Sequence, residues 1–160
     1  MANGWKDLVS GSDSGSGRNT NTNTITSTST SNTTNTKIKK TEDLEVFKMA
    51  HRLTLELYKL TGKFPKSEKF ALVSQIRRAS SSICSNLMEG SHRHSSKEFR
   101  QFVGIANGSV GELKYHLLLA KDLGYLDESK YVELIEKVNQ ISKMLRSLSS
   151  SLLQRSRKGK

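Results

Sequence analysis

From Lys137 to Lys160 the chain carries seven cationic side chains and no acidic one: Lys137, Lys143, Arg146, Arg155, Arg157, Lys158 and Lys160. A helix C-terminus is complemented by a few cations beside its last carbonyls. The excess beyond that is the kind of surface that contacts phosphates. A second group lies in "SHRHSSKEFR", where His92, Arg93, His94, Lys97 and Arg100 crowd ten residues. His92 and His94 lack any cysteine or acid at ligand spacing, so no metal centre is predicted and the segment reads as a basic rim. A third group is the pair Arg77-Arg78 inside "SQIRRASSSICSNLMEG". One arginine of the pair is expected to bond a helix acid such as Glu89 or Glu112, and contact with nucleic acid is the other reading. Together these cations predict salt-dependent binding of phosphates with little sequence preference. Aromatic residues near them are scarce, so base stacking of the single-strand-binding kind is not expected.

Other chemistry finds no support. No glycine-rich phosphate loop follows a strand, and no local signature orders Ser, His and Asp into a triad. Glu89 and Glu112 could approach one another, but the Glu-x-x-His pattern of di-iron bundles is missing. The reading is a non-enzyme without cofactor.

The formal net charge is +11, and its placement is uneven. Lys6 and Arg18 balance Asp7 and Asp13, so the whole excess falls from Lys37 onward. So much like charge repels itself and implies an anionic partner, RNA or DNA first and a membrane surface second. Residues 18–36 hold 17 Ser, Thr or Asn among 19. They have no apolar face to offset ordering entropy, so residues 1–36 are predicted to be a disordered tail. Trp5, Leu8 and Val9 give its start a faint amphipathic look. The single cysteine, Cys84, allows no intrachain disulfide and is expected as a buried thiol. No signal peptide or membrane-spanning run is evident, so a cytoplasmic protein is expected.

The elements that must position these cations are legible from hydrophobic spacing. Apolar residues recur at three and four over about Asp43–Thr61, Ser67–Glu89, Ser96–Leu123 and Glu128–Leu153. The second stripe is read as Phe70, Val73, Ile76, Ala79 or Ser80, Ile83 and Leu87. The fourth, Tyr131 through Leu152, is the most regular. Thr41 or Asp43, Ser95 with Glu98, and Asp127 are candidate N-caps. Gly62, Gly90 and Gly124 are candidate stops. Gln75, Asn86 and Glu112 are expected as buried polar groups that fix helix register. Short connections predict an all-α, antiparallel, up-down-up-down four-helix bundle over residues 37–155, with a basic tail at 156–160.

Two helices carry small residues where solvent-facing Lys and Glu would be usual. Ser74, Ser81, Ser85 and Met88 form a second stripe on the second helix, about 100° round from the first. Gly104, Gly108 and Gly111 share a face of the third. Each glycine costs about 1 kcal/mol against alanine in a helix. Close approach of another backbone would offset that cost, either at a subunit interface or by tight packing within the monomer.

The chain also resembles a bacterial family of four-helix bundles first noticed as reading frames inside intervening sequences of large-subunit ribosomal RNA genes. The matching residues are Asp43-Leu44, Ala50, Tyr58, Phe64-Pro65, Ser74-Gln75-Ile76-Arg77-Arg78-Ala79, Ser82-Ile83, Asn86, Glu89-Gly90, Lys97-Glu98-Phe99 and Glu112-Leu113, spread over about residues 43–153. The resemblance implies a homopentameric ring. Relatives act as accessory variability determinants of diversity-generating retroelements, where they associate with a reverse transcriptase and bind nucleic acid. The serine-rich "SSSICSN" and the N-terminal tail depart from the family pattern. The function expected is therefore a basic, oligomeric nucleic-acid-binding accessory protein. An oligomeric scaffold without a nucleic-acid role is the alternative.

Overall fold

The computed structural model describes residues 40–158, with the backbone alone at Lys158. The expectations for residues 1–36, the Lys158 side chain and Lys160 lie outside the described residues. Four α-helices are present: α1 Glu45–Thr61, α2 Leu72–Ser91, α3 Ser96–Asp122 and α4 Glu128–Lys158. No strand occurs among the described residues.

One core joins all four. Leu57, Ile76, Ile83, Leu87, Leu113, Leu117, Leu134, Ile141 and Leu145 are fully buried in it. These are the residues that the three-four spacing selects. Each such side chain contributes roughly 1.5–3 kcal/mol by leaving water. Polar cross-links fix which helices meet. Thr54 Oγ1 of α1 donates to the Ser80 carbonyl of α2 at 3.1 Å. The Ser82 and Ser109 hydroxyls bond between α2 and α3 at 2.9 Å. Ser142 Oγ of α4 donates to Asn107 Oδ1 of α3 at 2.9 Å.

The helix ends follow their caps. Ser95 Oγ accepts from the Glu98 N–H at 3.1 Å and donates to the Glu98 carboxylate at 2.7 Å. Asp127 Oδ1 accepts from the Lys130 N–H at 2.7 Å. After α3 the chain closes a Schellman turn: Tyr125 N–H reaches Ala120 O at 2.9 Å and Gly124 N–H reaches Lys121 O at 2.8 Å. Gly124 sits at φ 77°, the conformation that this turn requires of its glycine.

Several expectations are corrected. Phe70 is not core but 86% exposed. Residues Lys66–Phe70 form a separate 3-10 segment, and Ala71, at φ −108° and ψ −110°, breaks the path before α2 begins. Thr41 and Asp43 do not cap α1: they lie in a 3-10 turn, and Leu44 precedes the helix without a side-chain cap. Thr41 is buried, and its hydroxyl donates to Ser91 at the far end of α2. Gly90 does not stop α2, which continues through Ser91. A Cβ there would lie 2.6 Å from Phe102 Cβ and 2.7 Å from Phe99 Cδ2, so this glycine admits α3. Glu112 is exposed rather than buried. α4 passes the expected end at Leu153 and runs to Lys158.

Candidate nucleic-acid interface

The two cation groups read from distant stretches of sequence meet. α3 leaves the α2–α3 turn with Lys97 and Arg100 on its first turns. Arg100 Nε donates to Ser149 Oγ of α4 at 3.4 Å, which sets the start of α3 beside the last turns of α4. Arg146 Nη1 donates to Ser142 Oγ at 3.2 Å, and Ser142 also holds Asn107. Arg146 is therefore anchored to the α3–α4 seam. Lys97, Arg100, Lys143, Arg146, Arg155 and Arg157 are all exposed. Among the described residues none of these six makes an ion pair.

Arg93 differs. It pairs with Glu89 one turn back and lies over the Phe102 ring, 4.8 Å from its centroid. Glu89 thus takes Arg93 rather than an arginine of the Arg77-Arg78 pair. Arg77 instead donates to Thr61 Oγ1 at 2.9 Å and to the Tyr58 carbonyl at 3.2 Å. Its guanidinium stacks on the Tyr58 ring at 4.7 Å. These bonds tie α2 to the C-terminus of α1. Arg78 is exposed and stands near enough to His116 to act on its charge. The pair therefore sits apart from the α3–α4 cations.

The first half of α4 shows the opposite electrostatics. Lys130 and Lys137 each reach Glu56 of α1, at 2.7 and 2.8 Å, and each also binds Glu133, at 2.8 and 2.5 Å. Partial burial pushes the Glu56 carboxyl up, but the hydrogen bonds from Lys130 and Lys137 outweigh it and hold it below its usual range. The same two lysines bring Glu133 down to about 2. Lys121 is similarly occupied by Glu128 and Asp122, at 3.5 and 3.6 Å.

The small-residue stripes face outward. Nothing lies within 4 Å of a Cβ placed on Gly104, Gly108 or Gly111. Tight packing inside the monomer is therefore not what these glycines serve. Tyr115 and Leu118, 61% and 39% exposed, continue the same spacing along α3. On α2, Ser74 and Ser85 are exposed and Ser81 is half-buried. Ser81 and Ser85 satisfy their hydroxyls on the Arg78 and Ser81 carbonyls of their own helix. Ser85 and Met88 border a shallow apolar groove with Phe47 and Cys84. Burial pushes the Cys84 thiol up to about 11, so it is a poor nucleophile.

Two features escaped the sequence reading. Lys59, Lys63, Lys66 and Lys69 flank the α1–α2 connection without ion pairs among the described residues. Their even scatter over two elements hid them. His116 Nδ1 is buried without a hydrogen-bond partner. Burial, aided by Arg78 and opposed by Glu112, lowers its pKa. Among the described residues no group of His, Cys, Asp and Glu could hold a metal ion, and no helix is long and apolar enough to cross a membrane.

Comparison with known proteins agrees with the architecture. A crystal structure of a protein of unknown function from the S23 ribosomal protein family of Bacteroides thetaiotaomicron superposes with a TM-score of 0.59 at 23% identity, over 65% of this chain and 97% of that one. No curated protein matches by sequence. The family model described as 23S rRNA-intervening sequence protein matches residues 42–147. That span takes in most of the chain and all but the last turns of the helical core, and the protein belongs to the 23S rRNA-intervening sequence protein family.

Proposed function

We propose that this protein is a non-catalytic, self-associating bundle that binds nucleic acid through phosphate contacts. The observation that carries this reading is that Arg100 reaches Ser149 of α4, between Arg146 and Arg155, and that Lys97, Arg100, Arg146, Arg155 and Arg157 are exposed with no ion pair among the described residues. A protein keeps such a cluster against its own repulsion where an anion offsets it. Phosphates fit because their spacing along a strand lets separate cations engage in turn. The antiparallel order of the bundle is supported by two levels of contact per helix pair: Thr54 with Ser80 and Thr61 with Arg77, Ser82 with Ser109 and Gly90 with Phe102, Asn107 with Ser142 and Arg100 with Ser149.

Self-association is supported by the open seam of Gly104, Gly108 and Gly111, continued by Tyr115 and Leu118. Without a neighbour, three exposed helical glycines cost roughly 3 kcal/mol for nothing gained. A second copy laid along them recovers that cost through close helix contact and multiplies the cationic surface. A closed ring of five is the arrangement that the resemblance suggests. A reverse transcriptase of a diversity-generating retroelement is the partner suggested on the same ground, and co-purification with such an enzyme tests it.

Binding of single-stranded RNA by the purified chain tests the central reading. Four phosphate contacts per protomer predict about a 50-fold loss of affinity between 50 and 200 mM salt, from a slope of roughly −0.7 per contact. No binding at the lower salt would leave only a scaffold. A lone protomer at micromolar concentration would remove the self-association.

A further inference from the structure

We propose that the cavity at the α2–α3 turn receives a phosphate monoester on a nucleoside, at the end of a nucleic-acid strand. This rests on the nucleic-acid reading above and adds to it a site that recognises strand ends.

The cavity measures about 840 Å³ and is walled by three segments far apart in sequence: Lys40, Thr41, Glu42 and Leu44, the turn from Gly90 to Ser96 with Phe99, and the last turns of α4. Each segment supplies a cation, Lys40, Arg93 and Arg155, and the turn adds the imidazoles of His92 and His94. Glu42 is the single acid in the wall. Lys40 and Arg155 make no ion pair among the described residues. Arg93 is held in place by Glu89 and by the Phe102 ring. A guanidinium has five N–H donors, so that pairing leaves others for a ligand. His92 is likewise set. Its Nδ1–H donates to the Met88 carbonyl at 2.8 Å, which leaves Nε2 a lone pair that can accept from a ribose hydroxyl rather than bond the phosphate. The amino end of α3 is already occupied by the Ser95–Glu98 cap. The case therefore rests on the side chains and the concavity.

Convergence distinguishes an end from a passing strand. A monoester carries close to two negative charges and presents three acceptor oxygens, which donors arriving from three sides can share. A phosphodiester inside a strand carries one charge and continues in both directions, which suits the open α3–α4 seam better than a cavity. The volume exceeds that of a phosphate and falls in the range of small-molecule sites. Leu44, Phe99, Leu148 and Leu152 line the same cavity and give the terminal sugar and base an apolar surface.

The test uses the full chain and one short RNA sequence prepared with a 5′-phosphate, a 3′-phosphate or two hydroxyl ends, read by fluorescence anisotropy. One phosphorylated form should bind about tenfold more tightly than the hydroxyl form. Arg155→Gln removes a seam cation as well and should weaken hydroxyl-ended RNA a few-fold, but it should cut that preference, read as the ratio of affinities, below about twofold. Arg93→Gln should do the same, but Arg93 also braces the turn, so the exposed Arg155 is the deciding variant. Equal affinity for all three RNAs, or a preference that survives Arg155→Gln, overturns the proposal. If no RNA binds, the nucleic-acid reading fails, and titration with 5′-UMP followed by amide NMR judges the cavity. Shifts confined to Ser91–Ser96 and Arg155 then support a free-nucleotide site, and unmoved amides there overturn it.

Discussion

The two halves of α4 run in one helix and carry similar lysines, yet their electrostatics are opposite. In the first half Lys130 and Lys137 clasp Glu56 and Glu133. From Val138 to Lys158 there is no acid at all, and Lys143, Arg146, Arg155 and Arg157 stand exposed and unpaired among the described residues. Cations in the first half serve the fold by joining α4 to α1. Those in the second half do little for the fold, and α3 brings Lys97 and Arg100 to join them. The difference separates charge used for stability from charge held for a partner, which net charge alone does not reveal.

The comparison can be broken most directly by charge reversal. Arg100→Glu with Arg146→Glu should weaken RNA binding at low salt about 100-fold, or about 2.7 kcal/mol, and leave the melting temperature nearly unchanged. The matched change in the first half, Lys130→Gln with Lys137→Gln, should lower stability and leave RNA affinity alone. Calorimetry beside anisotropy reads both.

Next in size is the turn that carries the basic rim. Gly90→Ala drives a methyl into Phe99 and Phe102 and should cost about 2 kcal/mol in denaturant unfolding. Gly108→Ala meets nothing within the monomer. It should raise protomer stability by up to about 1 kcal/mol while weakening self-association, as read by sedimentation at decreasing concentration.

Smallest is the acid response of the paired half. Glu56 and Glu133 have folded pKa values below 4.5, Glu133 at about 2. Their contribution is therefore present above pH 4.5 and is lost as pH falls below it, for Glu133 toward about 2. Glu56→Gln should flatten that part of the stability profile by less than about 1 kcal/mol, since both partners are partly solvated.

Much of this was legible in the chain. The three-four spacing located four helices and nearly all of their buried residues, because one apolar stripe per helix leaves little choice of which face turns inward. Ser95 and Asp127 were legible as caps because a side-chain acceptor must stand at that position. Phe70 stands at the right interval for the apolar stripe, but the 3-10 segment before Ala71 turns it outward. Gly90 misled because a glycine near a helix end usually marks its stop, and its service to Phe99 and Phe102 is a tertiary fact. The glycines of α3 were recognisable as anomalies, but the direction they face was not. The cavity was not readable at all, since its walls come from three separated segments whose adjacency shows only in tertiary contacts such as Thr41 with Ser91 and Arg100 with Ser149.

The salt slope of RNA binding in two double variants tests the division of α4 most directly. Arg100→Gln with Arg146→Gln should shallow the slope of log affinity against log salt by about 1.4, two contacts at roughly 0.7 each. Lys130→Gln with Lys137→Gln should leave it where the unaltered protein has it. Equal changes in the two pairs, or a change only in the second, would contradict the account.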